Sequence, residues 1–552
     1  AHNTTSIADF ISARFGKSPA LAALVAIIAL TAAVPYLALQ YKAVGTSIDV
    51  LTGSVGRHPA WFADTALWVA LLMALFAILF GTRRLDATEH HEGVMLAIAF
   101  ESLVKLLAFV AVGVFAVLEL GPASDLAATP LGNFGDVASA NFLFSTLLSA
   151  AAIVCLPRQF LVGIVECADP EDIRKARWLF SAYLAVFTVF VVPVVLAGLG
   201  AGLGDRHHPD SFVLTLPMER GATGLAVLVF LGGLSAATAM VIVASIALAT
   251  MITNDLVMPA IWRSRWLRLA QGADVGRLVL WLRRGTILLI ALLAYAYHHN
   301  TATPASLASI GLLAFAAVAQ FAPAIVTGLY WRGATREGVF WGLATGFAVW
   351  TYTLLLPNLL AGGVIGWPLF EQGPWGIAWL RPQSLFGIEV MSPVMRGAVL
   401  ALVLNVGVLA VVSRLRGVSL RDRMAATSFL RGGMPVAGVA AAGGARVGDL
   451  LAVTERILGP GIAARALEDY HTGLGRPVPR PGEPADRGLL QYMERVLAGA
   501  IGASSARLMF THAMAGRGIA PEDVAELLDE TSQELRFSRQ LLQATMENVS
   551  QG

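Results

Sequence analysis

Ten stretches of this chain carry almost nothing but apolar side chains. They lie near residues 19–41, 62–82, 94–118, 139–165, 178–203, 223–252, 284–298 (short), 305–330, 337–360 and 396–413. A helix rising 1.5 Å per residue needs about 20 such residues to cross a bilayer. Lipid offers no water to a bare N–H or C=O, so each stretch must satisfy its own backbone as a helix. The first four hundred residues are therefore predicted to form an all-α, polytopic membrane fold. Composition agrees: 14% of the residues are charged, against about 25% in soluble domains.

Lys and Arg set the orientation. With the chain start in the cytoplasm, the inner loops hold Arg83, Arg84, Arg174, Lys175, Arg177, a cluster of six arginines between 263 and 284, Arg332 and Arg336. The outer loops hold Lys42, Arg57, Arg206, Arg220, Arg381 and Arg396. The inside excess is roughly two to one, which predicts both ends of the chain in the cytoplasm. A net charge of +2 is too small to suggest a nucleic-acid partner. The two cysteines, Cys155 in an apolar segment and Cys167 in a charged loop, suggest neither a disulfide framework nor a metal site.

Past residue 414 the pattern changes. "SRLRGVSLRDR" is a basic run suited to anionic lipid, and a Gly/Ala-rich linker follows. The division is 1–418 transmembrane, 419–445 flexible linker and 446–552 soluble. Amphipathic helices are predicted near 447–457, 462–473, 486–514 and 521–549, with a Pro-rich break, "GRPVPRPGEPAD", after the second. Four such helices suggest a small bundle. In the last, Leu528, Leu535, Leu542 and Val549 recur every seven residues, with Thr531, Ser538 and Thr545 between. That is either a buried bundle stripe or a weakened, switchable dimeric connector.

Several stretches resemble one family. "TSIADFISARFGKSPALAALVAIIAL" is similar to the loop and third core helix of the sodium:solute symporters, and "APAIVTGLYWRGATREGVFWGLATG" to their tenth core helix and following loop. The resemblance covers about residues 4–415. "LPRQFLVGIVECADPEDIRKARWLF", "SAATAMVIVASIALATMITNDLVMP" and the run from "ERVLAGAIG" to "ENVSQG" resemble the transporter-fused sensor histidine kinases of the CbrA type. The resemblance implies a LeuT-type inverted repeat with ligands near the bilayer midplane, and a helical bundle leading to a PAS domain and kinase. The chain opens without an initiator Met or signal pattern. It is therefore expected to be cut at both ends, lacking about three N-terminal helices and the broken first core helix, and so not to transport by itself. ATP and Mg are expected only for the missing kinase. The implied partners are membrane lipid, a small solute such as an amino acid (histidine among them), a second copy through the C-terminal helices, and a response regulator. The implied location is the bacterial inner membrane.

By the same mapping residues 19–41, 139–165 and 223–252 are core helices three, six and eight. Sodium-coupled members give the cation a carbonyl and two hydroxyls from core helix eight; the corresponding positions here are Ala236, Ala239 and Met240. A methyl and a thioether do not replace water around a hard cation, so proton-coupled or ion-independent operation is expected. Ser235 and Thr238 point to other faces. Glu101 and Lys105, at i and i+4 on one face, lie roughly 10–18 Å into an apolar span. They form either a proton- or substrate-coupling pair or a structural ion pair that locks the helix. Pro35, Tyr36 and Gln40 on core helix three and Gln320 on core helix ten suit interhelical hydrogen bonding, with a pathway role as the alternative. Asn141 and Ser145 fall near the entrance of core helix six, where the family breaks its helix, and "LPRQF" would break its inner end. "EHHE" at 89–92, His207, His208 and the pair in "YHHN" read as loop residues, not metal ligands. "TSQELRFSRQL" has Gln533 where a phosphoacceptor histidine is required, and no ATP site or catalytic triad appears.

Overall fold

A computed structural model describes residues 4–510 apart from 54–63, 83–91, 121–138, 168, 264–274, 302–306, 361–372, 388–390, 419–421, 423–425, 427–440, 474–476, 504 and 508. The ten apolar stretches are helical almost throughout where they are described. A short helix α1 (Ile7–Arg14) lies before them, capped by the Ser6 side chain. Helix α2 (Pro19–Thr52) starts where Ser18 accepts from the Leu21 N–H with proline at the first turn, and it stops at Gly53, whose φ of 68° suits glycine. Next come α3 (Thr65–Gly81), α4 (Glu92–Leu120) and α5 (Ala140–Cys155). The chain then bends by 50° into α6 (Pro157–Phe160) and a π-helical turn, Leu161–Val165.

Helices α7 (Pro170–Gly200), α8 (Phe212–Glu219) and α9 (Thr223–Met251) follow, and α9 runs through a second π-helical turn, Ile252–Val257, into α10 (Met258–Arg263). The set closes with α11 (Val275–Asn300), α12 (Leu307–Val318), α13 (Phe321–Tyr330), α14 (Arg336–Trp350), α15 (Leu356–Leu360) and α16 (Pro393–Arg416). Among the described residues eight helical spans are long and apolar enough to cross a membrane, and the bent α5–α6 pair makes up to nine. Helix α3, with 17 residues, is shorter. The short stretch at 284–298 belongs to the 26-residue α11, because Arg277, Arg283 and Arg284 lie inside its first turns.

The long α2 is the centre, packed on α3, α9, α11 and α12. Outward faces remain apolar at helical spacing, as at Trp68, Leu72, Leu75 and Leu79 on α3, which suits lipid. The tightest helix pair is α14 with α16. Gly338, Gly342 and Gly346 recur every fourth residue on α14; a Cβ at Gly342 would lie 2.8 Å from the Asn405 carbonyl oxygen and one at Gly346 3.1 Å from that of Ala401. Close backbone approach of this kind holds membrane helices together by contact rather than by the hydrophobic effect.

The C-terminal part contains α17 (Val447–Leu458), α18 (Pro460–Gly473) and α19 (Arg487–Ile501). The fold is all-α except for two short antiparallel strands there, β1 (Ala441–Arg446) and β2 (Pro484–Asp486). The helix predicted over 486–514 ends at Ile501: Gly502 takes φ 82°, and helix resumes at Ala503. Val447, Leu450, Leu490, Met493 and Leu497 form the bundle's core, which also takes in Met258 of α10 and Val279 of α11. The predicted helix at 521–549, with its heptad, lies outside the described residues, as does most of the linker.

Candidate functional site

A cavity of about 1430 Å³ opens between α2, α4, α9, the segment around 205–219, residues 297–301 at the end of α11 and residues 307–310 at the start of α12. Its floor includes Ala38, Lys105, Ala108, Gly232, Gly233 and Ala236. Gly232 creates this floor by bringing α9 against α4; a Cβ there would sit 2.5 Å from the Ala108 methyl. Lys42, Asp49, Asp64, Arg206, His208, Asp210 and Glu219 stand around it, together with His207, His298 and His299. Charges of both signs suit a polar solute carrying both. The four histidines line the cavity, two of them within α11, rather than lying in featureless loops. Asp64 organises one wall: it caps α3, accepts a hydrogen bond from Tyr295 Oη at 3.1 Å and lies 3.8 Å from His299 Nδ1.

Beside the floor is a second polar group inside the membrane domain. Tyr36 Oη donates toward the Met240 sulfur at 3.3 Å, and Arg158 Nη1 donates to Tyr36 Oη at 3.5 Å. Glu101, Lys105 and Arg158 lie within electrostatic reach of one another. Lys105 Nζ stands 5.6 Å from the centre of the Tyr183 ring, a distance at which an ammonium is attracted to the ring face. Tyr36, Met240, Glu101 and Lys105 thus share one neighbourhood. Arg158 joins them from the bend after α5, where Leu156 is extended and Pro157 begins α6. Sequence reasoning took "LPRQF" only as a helix breaker; a cation immediately after a proline inside an apolar stretch was the available signal. Arg158 Nε is buried without a hydrogen-bond partner among the described residues.

The remaining predicted residues are distributed differently. Ala236 lines the cavity, and Ala239 is 7% exposed on α9. Ser235 Oγ donates to the Glu101 carbonyl at 3.5 Å, whereas the Thr238 hydroxyl bonds its own helix at Leu234. Pro35 and Gln40 are buried on α2. Gln320, fully buried at the break between α12 and α13, accepts from Asn405 Nδ2 on both its carbonyl oxygens, at 2.9 and 3.0 Å. That is the interhelical bond expected of it, with Asn405 as a partner the sequence did not single out. Asn141 Oδ1 accepts from the Ser392 N–H at 3.1 Å, and Ser145 bonds back to the Asn141 carbonyl. Helix α5 is continuous through both; the bend falls eleven residues past Ser145. The "EHHE" residues lie outside the description except for the backbone of Glu92, and no metal-holding cluster occurs among the described residues.

A third polar region lies where the C-terminal helices meet α1 and the membrane-length helices. Asp9, 1% exposed, accepts from the Ala503 N–H at 2.8 Å and the Thr5 N–H at 3.1 Å. Burial pushes its carboxyl up to about 6, against the pull of those two N–H groups and of Lys17. The folded chain therefore holds a proton on Asp9 that the unfolded chain releases above about pH 4. Stability from this group is full below that and is lost as pH rises through about 6. A shift of about two pKa units corresponds to ~3 kcal/mol. Thermal melting of the full chain in detergent is expected to show a slope between pH 4 and 6.5 that Asp9→Asn flattens, Lys17, Glu494 and Arg507 being the charged groups nearby.

The chain is similar to a protein described as the uncharacterized symporter YodF of Bacillus subtilis (strain 168), with 23% identity over 402 residues, 71% of this chain and 73% of that protein. The similarity supports a solute symporter family. No family model matches the chain. With the spans described above, it supports a multi-pass membrane protein.

Proposed function

We propose that this chain is the sensing and transducing part of a membrane receptor. A transporter-like domain of LeuT-type architecture binds a solute of the amino-acid kind in the cavity. Its change of state passes through the soluble bundle to a two-component histidine kinase that lies beyond residue 552. The observation that carries this reading is the packing of the bundle on the end of α9: Ser505 Oγ donates to the Asn254 carbonyl in the π-helical turn that extends the helix bearing Ala236 and Met240. A two-state membrane domain shifts by the solute's differential affinity for its states, and this contact delivers the shift to the bundle. Resemblance to the transporter-fused kinases supports the same reading. Positive-inside asymmetry supports a cytoplasmic bundle, resemblance to the transporter-fused kinases supports a bacterial inner membrane, and in this reading the C-terminal helices supply a homodimer contact through which a response regulator is controlled. Coupling to sodium is not part of the proposal, because the two hydroxyl positions are Ala239 and Met240.

The competing reading is a secondary transporter with a regulatory tail, favoured by the similarity to a symporter over 402 residues. Membrane vesicles holding the uncut protein separate the two. Autophosphorylation from labelled ATP is expected to change at least threefold on adding a mixture of amino acids, and to lose that response when residues 420–510 are deleted. Amino-acid uptake that survives the deletion, with phosphorylation absent or indifferent to the mixture, would establish the transporter reading instead.

A further inference from the structure

We propose that the segment Glu494–Arg507 is a latch that holds the bundle-facing end of the membrane domain closed while the cavity is open on the opposite face. The proposal rests on the transporter-like reading above. The segment bonds three separate elements at once. On α1, Asp9 accepts from Ala503 N–H at 2.8 Å, and Lys17 in the loop after α1 pairs with Glu494 at 3.3 Å. On the π-helical turn, the Asn254 carbonyl accepts from Ser505. On α11, Arg283 Nη2 donates to the Ala500 carbonyl at 2.9 Å, satisfying one of the bare carbonyls at the end of α19.

These contacts are built into the fold rather than brushed against it. The Glu494 side chain is 2% exposed and faces both Lys17 and Arg507, and a carboxylate buried to that degree is costly unless paired. Gly502 makes the approach possible. Its φ is 82°, and a Cβ on it would sit 3.2 Å from Asn254 Cβ and 3.7 Å from Asp255 Oδ1. Opening the bundle-facing end requires α1, the end of α9 and α11 to move relative to one another, and a clamp bonded to all three opposes that. The π-helical turn is the element suited to yield, since such turns carry an extra residue per turn and are recurrent sites of rearrangement. The Asn254 amide is buried there with no hydrogen-bond partner among the described residues, so a shift of the turn that pairs it offsets part of what undocking loses. Linkage then requires the reverse effect: loosening the latch draws the cavity away from its open state.

The test uses the full chain in oriented vesicles, with Cys155→Ala and Cys167→Ala, and Ala236→Cys as a reporter on the cavity floor. A membrane-impermeant maleimide is applied from the cavity side. Ala503 stands at the first helical position after Gly502, where proline is tolerated, so Ala503→Pro removes the N–H donor to Asp9 and leaves the helix. Expected are labelling rates at least threefold lower in Ala503→Pro and in Asp9→Ala, with no further loss in the double variant. Ser505→Ala, which leaves all main-chain bonds intact, is expected to act in the same direction and decides the matter if Ala503→Pro does not reach the membrane. Unchanged labelling in folded variants, or losses that multiply in the double variant, overturns the latch. The readout involves no kinase, so its failure is distinct from failure of the signalling proposal, which phosphorylation alone decides.

Discussion

Gly342→Leu is expected to remove most of the thermal stability of the membrane domain. The new side chain would start 2.8 Å from the Asn405 carbonyl oxygen and 2.9 Å from Leu409 Cβ. Both obstacles belong to the body of α16 rather than to a flexible tip, so the helices must part. Overpacking alone costs about 1–3 kcal/mol. Separation also breaks the Asn405–Gln320 hydrogen bonds in the interior, at about 1 kcal/mol each or more when a buried partner is stranded. A total near ~4 kcal/mol is a large part of what holds a domain folded. Melting in detergent, followed by tryptophan fluorescence or by size-exclusion after heating, reads the loss. Gly407→Leu on α16 is the control: nothing lies within 4 Å of a Cβ there, and its melting temperature is expected to stay within a degree or two. If both variants melt alike, the close approach of α14 and α16 contributes little to the fold.

The same pair of helices shows what a sequence displays and what it conceals. The spacing of Gly338, Gly342 and Gly346 is visible in "REGVFWGLATG", but its partners Asn405, Leu409 and Ser413 lie some seventy residues on, and no local pattern links them. The spans themselves were legible because lipid leaves one solution for an apolar run. Span ends were less so. Hydropathy alone ends the seventh stretch at residue 284, yet α11 begins at Val275, because Arg283 and Arg284 have partners: the Ala500 carbonyl for one, the Thr82 hydroxyl and carbonyl for the other. The break at Gly502 was concealed for the opposite reason. The apolar pattern continues through Leu497, Ile501 and Ala506, and only the contact with Asn254 explains why the backbone turns there. Of the site, Glu101 with Lys105 is legible from charge inside an apolar helix, whereas Tyr36 and Met240 are singled out separately and nothing in the sequence pairs them. Arg158 is not legible, since a proline bend in the chain has to be folded before its guanidinium reaches Tyr36.

Glu101→Ala is expected to separate a structural role of that charged group from a functional one. The carboxylate is an acidic group set against Lys105 and Arg158 in this part of the membrane domain. Its loss leaves two cations facing each other in a partly buried setting. Breaking a fully buried pair costs about 3–5 kcal/mol; Glu101 is only partly buried, so ~2 kcal/mol is the expected loss, read as a drop of several degrees in melting temperature. Pairing the change with Lys105→Met removes the unopposed charge and is expected to restore most of that stability. If Glu101 and Lys105 act only as a lock, the double variant regains amino-acid-dependent phosphorylation or uptake in the uncut protein together with its stability. If they carry a proton or orient the solute, stability returns while the response stays at least tenfold weakened. The second result is the one expected, because Lys105 lines the cavity floor and the Glu101 carboxylate lies within electrostatic reach of it. A purely structural pair would have no reason to set Lys105 on the wall of the cavity proposed for the solute.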